Sequence, residues 1–468
     1  MKTFRVLGWH RFLGLEGSKL FIPTGHPHSG ILLACEAHSA QSLNLLIQKS
    51  TEFLSNNSIS ISPSNPNAFL VFTNPCIPSP CSDNPDDNED GGCYRATFTG
   101  LDFMSIYEQL VNYSSPSSKL CGFNGVRRKI GLMFTGQCSQ YLGMGLELYE
   151  TSLPFRSAFQ CASNILMNEY GLHIYDVMYG SKGHLLDTSL YSQTSIFCLE
   201  VGLLALWRSF GVEPSFVLGP SAGGFAAAVA AGVITVEEGA RLVGGRAKLI
   251  NSLPEGGMTA VQASEAEVRY LMDKVVFSSE MWLDVAVINS ENDIVIAGKP
   301  QSLKMLEMLC EEKGIKTCRL NAKQAFHSRQ IDCILEKYDE ILRNVMTRNY
   351  NDNEVQQSSC CGYISGIDGT VMSSRDFFTP EYWMDHARAT VNLPAAVNTF
   401  WEQGVRVFIE LGPRPVLLHD AKTILGDDKV SQALWMSTIN GKDSNWTTVL
   451  KGLGQLYEVQ AIDLDIIE

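Results

Sequence analysis

One serine of this chain lies in a pattern that could make it a nucleophile. Residues 219–223 have the sequence Gly-Pro-Ser-Ala-Gly, between a predicted apolar strand (PSFVLG) and a predicted helix of small residues (AGGFAAAVAAG). This is the strand–turn–helix setting of the G-x-S-x-G nucleophile elbow. The sharp turn would expose the hydroxyl of Ser221 and aim the backbone N–H of Ala222 at a developing oxyanion. Because so short a pattern also arises by chance, an ordinary serine in a glycine-rich turn is the alternative.

A hydroxyl nucleophile needs a base, and His327 is the best placed of the nine histidines. Histidine is the usual general base near neutral pH. His327, in the segment QAFHSR, follows the point where an inserted domain is predicted to return to the main body, so it would lie at the cleft between them. An ordinary surface or core histidine is the alternative. No acidic residue close by offers itself as an orienting group, which favours a Ser–His pair oriented by a backbone carbonyl.

A third residue, Arg246, is predicted to point into the protein. The segment TVEEGARLVGGRAKLINSL predicts a helix that begins with a capping box between Thr235 and Glu238. Arg246 shares an apolar stripe with Val243 and Ile250 at helical spacing. A buried guanidinium without an anion is unfavourable. Arg246 is therefore either half of a structural ion pair or a bidentate ligand for a substrate carboxylate.

The elements that would position these residues indicate an α/β fold. Strands and helices alternate over 129–436, which predicts a parallel sheet with crossover helices. Within it, 256–321 has the pattern βαββαβ of a ferredoxin-like subdomain. The junction of this insert with the main body is where a cleft and a ligand site are expected. Residues 1–128 are predicted to form a small α/β domain, and 437–468 a C-terminal segment.

Composition excludes several classes of function. The 468 residues carry a formal net charge of -14, which argues against nucleic acid as a partner. The thirteen cysteines include no CxxC pair, so we expect no metal site and reduced thiols in the cytoplasm. No stretch of eighteen apolar residues predicts a membrane span, and the N-terminus lacks the apolar core of a signal peptide.

Together these motifs resemble the malonyl-CoA:acyl carrier protein transacylases and the acyltransferase domains of polyketide and fatty acid synthases. The resemblance covers roughly 129–436. FTGQCSQYLGMG resembles the glycine- and glutamine-containing first turn of that family, GPSAGG its nucleophile elbow, QAFHS the segment of its base and ELGPRPVL its closing strand and turn. It implies an α/β-hydrolase-like body with the ferredoxin-like insert. The flanks 1–128 and 437–468 resemble the linkers before and after the acyltransferase in synthases.

The resemblance also implies roles for individual residues. Ser221 would be the nucleophile, His327 its base, and the backbone N–H groups of Gln137 and Ala222 the oxyanion hole. Arg246 stands where this family keeps its carboxylate-binding arginine. Four further residues are implied to line the pocket: Gln193, Pro220, Asn289 and Phe326.

Two more features of the site follow from the family pattern. The base is expected to be oriented by the main-chain oxygen of His386. Pro220 and Gly224 depart from the family, which usually has histidine and glutamate at these positions, and so bear on pocket shape and acyl selectivity. The AFH triplet that ends at His327 resembles malonyl-selective domains, so malonyl is the expected acyl group.

The implied reaction moves a malonyl unit from coenzyme A, through an acyl-serine, to the phosphopantetheine thiol of an acyl carrier protein, without a bound cofactor. This would serve polyketide or fatty acid biosynthesis. No ketosynthase or carrier domain is visible in the sequence, so a discrete trans-acting protein and a domain of a larger synthase are both open. The alternatives are an acyl hydrolase that clears carrier proteins and a non-catalytic docking module.

Overall fold

The computed structural model describes most of the chain after residue 127. The described ranges are 128–276, 281–346, 361–372, 379–459 and 461–462, with short N-terminal segments at 5–8, 18–22, 31–37, 47–48, 51, 94–100, 108–109 and 112. The chain divides into two compact units. The first comprises Met1–Arg128, Trp207–Val212 and Lys442–Glu468, and the second comprises Lys129–Leu206 and Glu213–Gly441.

Within the described residues the strands form three sheets. In chain order they are β1 (Arg5–Gly8), β2 (Ser18–Ile22), β3 (Ile31–Ala37), β4 (Tyr94–Gly100), β5 (Lys129–Phe134), β6 (Phe216–Leu218), β7 (Gly257–Val261), β8 (Leu283–Ser290), β9 (Asp293–Gly298), β10 (Thr317–Arg319), β11 (Gly362–Ile364), β12 (Val371–Met372), β13 (Val391–Asn392), β14 (Val405–Leu411) and β15 (Leu434–Ser437). The first unit contains the antiparallel sheet β1-β2-β3-β4. The second unit contains the other two.

The described helices alternate with these strands. They are α1 (Leu146–Thr151), α2 (Leu153–Tyr170), α3 (Ile174–Met178), α4 (Ser189–Ser209), α5 (Gly223–Ala230), α6 (Val236–Asn251), α7 (Glu265–Val275), α8 (Pro300–Glu312), α9 (Leu335–Met346), α10 (Pro380–Arg388), α11 (Leu393–Glu402), α12 (Leu417–Val430) and α13 (Asn445–Glu458). Short 3₁₀ helices occur at Gly183–Leu185 and Arg329–Ile334.

The central sheet of the second unit has the order β12-β11-β6-β5-β14-β15. Its strands are parallel except β12, which pairs antiparallel with β11. Met133 of β5, Leu218 of β6 and Phe408 of β14 are fully buried and pack against α11 and α12. The predicted α/β fold with a parallel sheet is confirmed. The expected boundary at 436 falls inside β15, so the central sheet extends one residue further than the sequence pattern indicated.

The insert forms its own sheet, in the order β10-β7-β9-β8-β13. The element order β7-α7-β8-β9-α8-β10 is the predicted βαββαβ pattern, so the ferredoxin-like subdomain is confirmed. Its core joins Val285 of β8 and Ile296 of β9 to Leu271 of α7 and Leu306 of α8. The fifth strand, β13, comes from the main body and pairs in parallel with β8. The sequence did not reveal this strand, because two residues are too few to show a period.

Helix α4 is the most apolar long helix in the described part of the chain. It is the one helix there that is long and apolar enough to cross a membrane, and 89% of its apolar eighteen-residue stretch is buried inside the protein. Leu199 and Leu203 have no exposed surface. This burial identifies α4 as a core helix, and it explains why the helix lacks the polar face of a surface helix.

Candidate active site

Ser221 lies in the turn between β6 and α5, in a strained backbone conformation. Its φ is 51°, in the left-handed region that residues with a side chain seldom adopt. The turn is so tight that a Cβ added to Gly219 would lie 2.1 Å from the carbonyl oxygen of Gly223. A Cβ on Gly223 would lie 2.2 Å from the carbonyl oxygen of Phe134. The two outer glycines are therefore required by close backbone approach, and the turn presents the serine hydroxyl to the cavity described below.

His327 is the side chain that contacts the Ser221 hydroxyl. Its Nε2 lies 2.8 Å from Ser221 Oγ, and its Nδ1 lies 2.9 Å from the carbonyl oxygen of Ala389. A carbonyl only accepts hydrogen bonds, so Nδ1 carries the proton and Nε2 is left to accept from the serine. His327 is buried and also has a positive φ, 52°. Ser328 follows it and caps the next 3₁₀ helix by accepting from the N–H of Gln330.

The carbonyl that orients His327 belongs to Ala389 and not, as the sequence led us to expect, to His386. His386 lies in the last turn of α10, where the backbone still follows the helix. Ala389 is the first residue past the helix and has extended dihedral angles, φ -72° and ψ 158°. Its N–H still bonds to the carbonyl of Asp385, while its own carbonyl turns away from the helix axis toward His327. The orienting carbonyl thus lies three residues later than the family pattern indicated.

His386 instead contributes its side chain to the floor of the elbow. The ring is buried and packs edge-on against Trp383, at 5.0 Å between centroids, and Phe225, at 6.2 Å. A Cβ on Gly224 would lie 2.6 Å from His386 Nε2. The imidazole thus fills the space that a side chain at 224 would need. Burial, with a smaller contribution from the Arg246 charge, holds the pKa of His386 well below its usual range, so the ring is neutral.

The pKa of His327 is also depressed. Burial is the main cause and the nearby Arg246 guanidinium the second, and together they lower the pKa to about 4 despite the hydrogen bond to Ala389. The imidazole is therefore unprotonated at neutral pH, which is the form that can accept the serine proton. A neighbouring anion that offsets the Arg246 charge would raise this pKa and strengthen the base.

Arg246 is buried in α6 without a carboxylate partner. Its Nε and Nη2 donate to Gln193 Oε1 at 3.1 and 2.8 Å, and the guanidinium lies 4.6 Å from the centroid of the Phe225 ring. Burial lowers its pKa to about 10, so it stays charged at neutral pH. No acidic side chain in the described ranges lies within ion-pair distance of it, which removes the structural ion pair as its explanation. The amide Nε2 of Gln193 is buried beside it without a hydrogen-bond partner.

The loop after β5 approaches the elbow from the other side. A Cβ on Gly136 would lie in ordinary van der Waals contact with the carbonyl oxygen of Pro220, at 3.7 Å. The next residue, Gln137, is held by its side-chain Nε2, which donates to Ser192 Oγ at 2.7 Å. Gln137 lines the same cavity as Pro220 and Ser221, so the loop after β5 faces the elbow there.

A cavity of about 260 Å³ opens over Ser221 and His327, between the central sheet and the insert. Of the residues expected at the site, six line it: Gln137, Pro220, Ser221, Asn289, Phe326 and His327. Four lie outside the lining: Gln193, Ala222, Arg246 and His386. Arg246 and Gln193 are buried in the wall. The described residues contain no group of three or more His, Cys, Asp or Glu side chains arranged to hold a metal ion.

Sequence patterns missed several residues of this cavity. Cys138, Asp187 and Asp420 all line it, and Asp187 and Asp420 come from a loop and a helix start that carry no recognisable motif. Burial and the neighbouring Asp293 raise the pKa of Asp420 to about 6. The one available signal was for Cys138, which directly follows Gln137 in the motif-bearing turn.

Comparison with known proteins agrees with this geometry. The family model of the acyl transferase domain matches residues 132–460. A phenolphthiocerol synthesis polyketide synthase type I of Mycobacterium marinum is 29% identical over 368 residues, which cover 78% of this chain and 17% of that protein. The chain thus spans less than a fifth of that relative's length.

Solved structures share the fold. The acyltransferase domain from module 8 of the salinomycin polyketide synthase superposes with a TM-score of 0.71 at 22% identity, over 93% of this chain and 98% of that one. The malonyl CoA-acyl carrier protein transacylase of Clostridium perfringens gives 0.61 at 24% identity, over 71% and 98%. Since the family model covers well over half of the residues, the chain belongs to the acyl transferase domain family.

Proposed function

We propose that this protein transfers a malonyl-type acyl group from coenzyme A to the phosphopantetheine thiol of an acyl carrier protein, through an ester on Ser221. The observation that carries the proposal is Arg246, a buried guanidinium with no carboxylate partner among the described residues, close to a Ser–His pair. A buried cation needs an anion, and a malonyl carboxylate supplies one. A neutral acyl group such as acetyl would leave the guanidinium uncompensated.

The first half-reaction begins with proton transfer from Ser221 to Nε2 of His327. Ser221 Oγ attacks the thioester carbon, and the oxyanion accepts hydrogen bonds from the N–H groups of Gln137 and Ala222. The carbonyl of Ala389 stabilises the imidazolium through Nδ1–H. When the C–S bond breaks, the imidazolium returns its proton to the sulfur, and coenzyme A leaves as the thiol.

The second half-reaction runs the same steps with a different thiol. His327 takes the proton of the phosphopantetheine thiol, the thiolate attacks the acyl-serine, and the C–O bond breaks with the proton passing to Ser221 Oγ. No bound cofactor takes part. Arg246 contributes twice, because the malonyl carboxylate that it binds also offsets the charge that depresses the pKa of His327. The correct substrate would thereby strengthen the base that acts on it.

The partners follow from the same proposal. An acyl carrier protein and an acyl-CoA are the expected partners, and the cytoplasm the expected compartment, in polyketide or fatty acid biosynthesis. Because the related synthases are several times longer than this chain, action in trans and action as a part of a larger synthase are both compatible with the site. An acyl hydrolase is the second candidate, but it has no need of a carboxylate-binding arginine.

Intact mass spectrometry after mixing with malonyl-CoA tests the proposal. The wild-type protein should gain one malonyl group, and Ser221→Ala should gain none. The cavity also contains an exposed thiol, Cys138. Cys138→Ser is the matched control and should still be acylated. Labelling of Ser221→Ala would remove Ser221 from its role, and faster transfer to water than to carrier protein would favour the hydrolase.

A further inference from the structure

The segment that carries His327 is tied to the insert by one aspartate. Asp284, the second residue of β8, accepts hydrogen bonds from the backbone N–H of Arg329 at 2.8 Å, from its Nε at 3.0 Å and from its Nη2 at 2.6 Å. Arg329 is only two residues beyond His327. The bidentate fork restrains direction as well as distance, and the added backbone bond restrains the main chain itself. The segment that carries the base is therefore attached to β8.

The carbonyl that orients His327 is tied to the same strand. Ala389 is followed by Thr390, whose Oγ1 donates to the carbonyl of Val285 at 2.7 Å. The next two residues form β13, which pairs in parallel with β8. Neighbouring residues of β8, Asp284 and Val285, thus hold the two groups whose contact orients the ring.

A second ion pair joins the two segments directly. Arg388, the residue before Ala389, places Nε 2.5 Å from Oδ1 of Asp332, which lies in the same 3₁₀ helix as Arg329. Burial opposes the charge of Asp284, yet the hydrogen bonds from Arg329 and the nearby Arg388 charge hold its pKa below the usual range. The four charges alternate in sign, from Asp284 through Arg329 and Asp332 to Arg388.

We propose that Asp284 is a positioning residue for the base: by holding Arg329, it sets the place of His327 relative to the carbonyl of Ala389 and the hydroxyl of Ser221. This inference rests on the proposed function, since it takes His327 to be the base. Misplacing a reacting group by about 1 Å can lower a rate on the order of 10²-fold. The Arg329 side chain is 52% exposed, so the pair adds little to stability and its loss should act on the rate.

Asp284→Asn tests the inference because it keeps the size of the side chain and removes its charge. We expect the single-turnover rate of acyl-serine formation to fall about 10- to 100-fold, with half-saturation by malonyl-CoA and the melting temperature nearly unchanged. Glu307→Gln is the matched control. Glu307 accepts the same fork from Arg319 within the insert, at 2.7 and 2.9 Å, and its loss should leave the rate at the wild-type value.

Two further readouts separate positioning from a general loosening. Arg388→Gln removes the ion pair with Asp332 and so loosens the segment that carries Ala389. It should slow acylation in the same way as Asp284→Asn. The hydrogen bond to Ala389 raises the pKa of His327, so loosening it in Asp284→Asn should move the acid limb of the pH–rate profile to lower pH, while Glu307→Gln leaves it in place. An Asp284→Asn protein that acylates as fast as Glu307→Gln would overturn the inference. Absence of acyl-serine in the wild-type protein would overturn the proposed function, and this inference with it.

Discussion

Arg246→Met gives the sharpest test of how this site selects its acyl group. Methionine keeps much of the volume of the side chain and its contact with Phe225, but carries no charge. A hydrogen bond to a charged group contributes about 1.5–3 kcal/mol, so losing the contact with a malonyl carboxylate should lower kcat/KM for malonyl-CoA about 10- to 150-fold. The acetyl group of acetyl-CoA has no carboxylate, so the substitution removes no such contact with it. Its acylation should be unchanged or faster, because removing the guanidinium also raises the pKa of His327.

The stability of this variant should differ from that of an ordinary core mutant. Burial lowers the pKa of Arg246 from 12.5 to about 10, which corresponds to about 3 kcal/mol of unfavourable free energy for holding the charge in the fold. Against this gain, the substitution leaves Gln193 Oε1 without its donor, at about 1–3 kcal/mol. The two effects nearly cancel. The free energy of unfolding should therefore stay within about 2 kcal/mol of wild type, measured by denaturant titration.

The assay is the initial rate of acyl-serine formation with malonyl-CoA and acetyl-CoA in parallel. Arg241→Met is the matched control, because Arg241 lies on the same helix but pairs with Glu169 at 2.8 Å. It should leave the ratio of malonyl to acetyl rates unchanged. An equal loss of both activities in Arg246→Met, or an unchanged preference for malonyl, would refute a carboxylate-binding role and assign the arginine to packing.

Two more predictions concern the histidines. The pKa of His327 is about 4 in the fold and about 6.5 in the unfolded chain, so only the unfolded state gains this proton as pH falls through that range. The free energy of unfolding should therefore decline by up to about 3 kcal/mol between pH 6.5 and 4. Denaturant titrations should show a shallower decline for His327→Gln, and parallel curves for the two proteins would contradict the depressed pKa. Gly224→Ala places a Cβ 2.6 Å from His386 Nε2 and should lower the free energy of unfolding by about 1–3 kcal/mol. Adding His386→Ala to this variant should restore part of the lost melting temperature. A Gly224→Ala protein that melts at the wild-type temperature would show that the His386 ring can move aside.

Much of the fold was predictable because its signals are local. The alternation of apolar strands and helices indicated the parallel sheet, and the period of the insert indicated βαββαβ. The exceptions are short or non-local elements. β13 has two residues and forms only where β8 offers an edge, and the last strand, β15, is placed by pairing with β14 and not by its own pattern. Such elements take their structure from a partner distant in sequence.

The residue types of the site also followed from the sequence, but their contacts did not. Ser221 is fixed by its elbow, since only glycines tolerate the approaches at 219 and 223. His327 could be chosen from nine histidines by its place after the insert, yet its orienting partner was misassigned to His386. That partner depends on where α10 ends and on how the following residues join β8, neither of which has a local signature.

The sequence by itself determined which groups are available: a strained serine, a histidine at the end of the insert, and an arginine on an apolar helix stripe. Tertiary structure decided what each group meets. It left Arg246 beside a neutral amide and away from any carboxylate in the described chain, and it brought Ala389 to Nδ1 of His327. The reason is physical. Residue type and helical period are properties of neighbouring positions, whereas burial, charge pairing and pKa arise when segments far apart in the chain share one space.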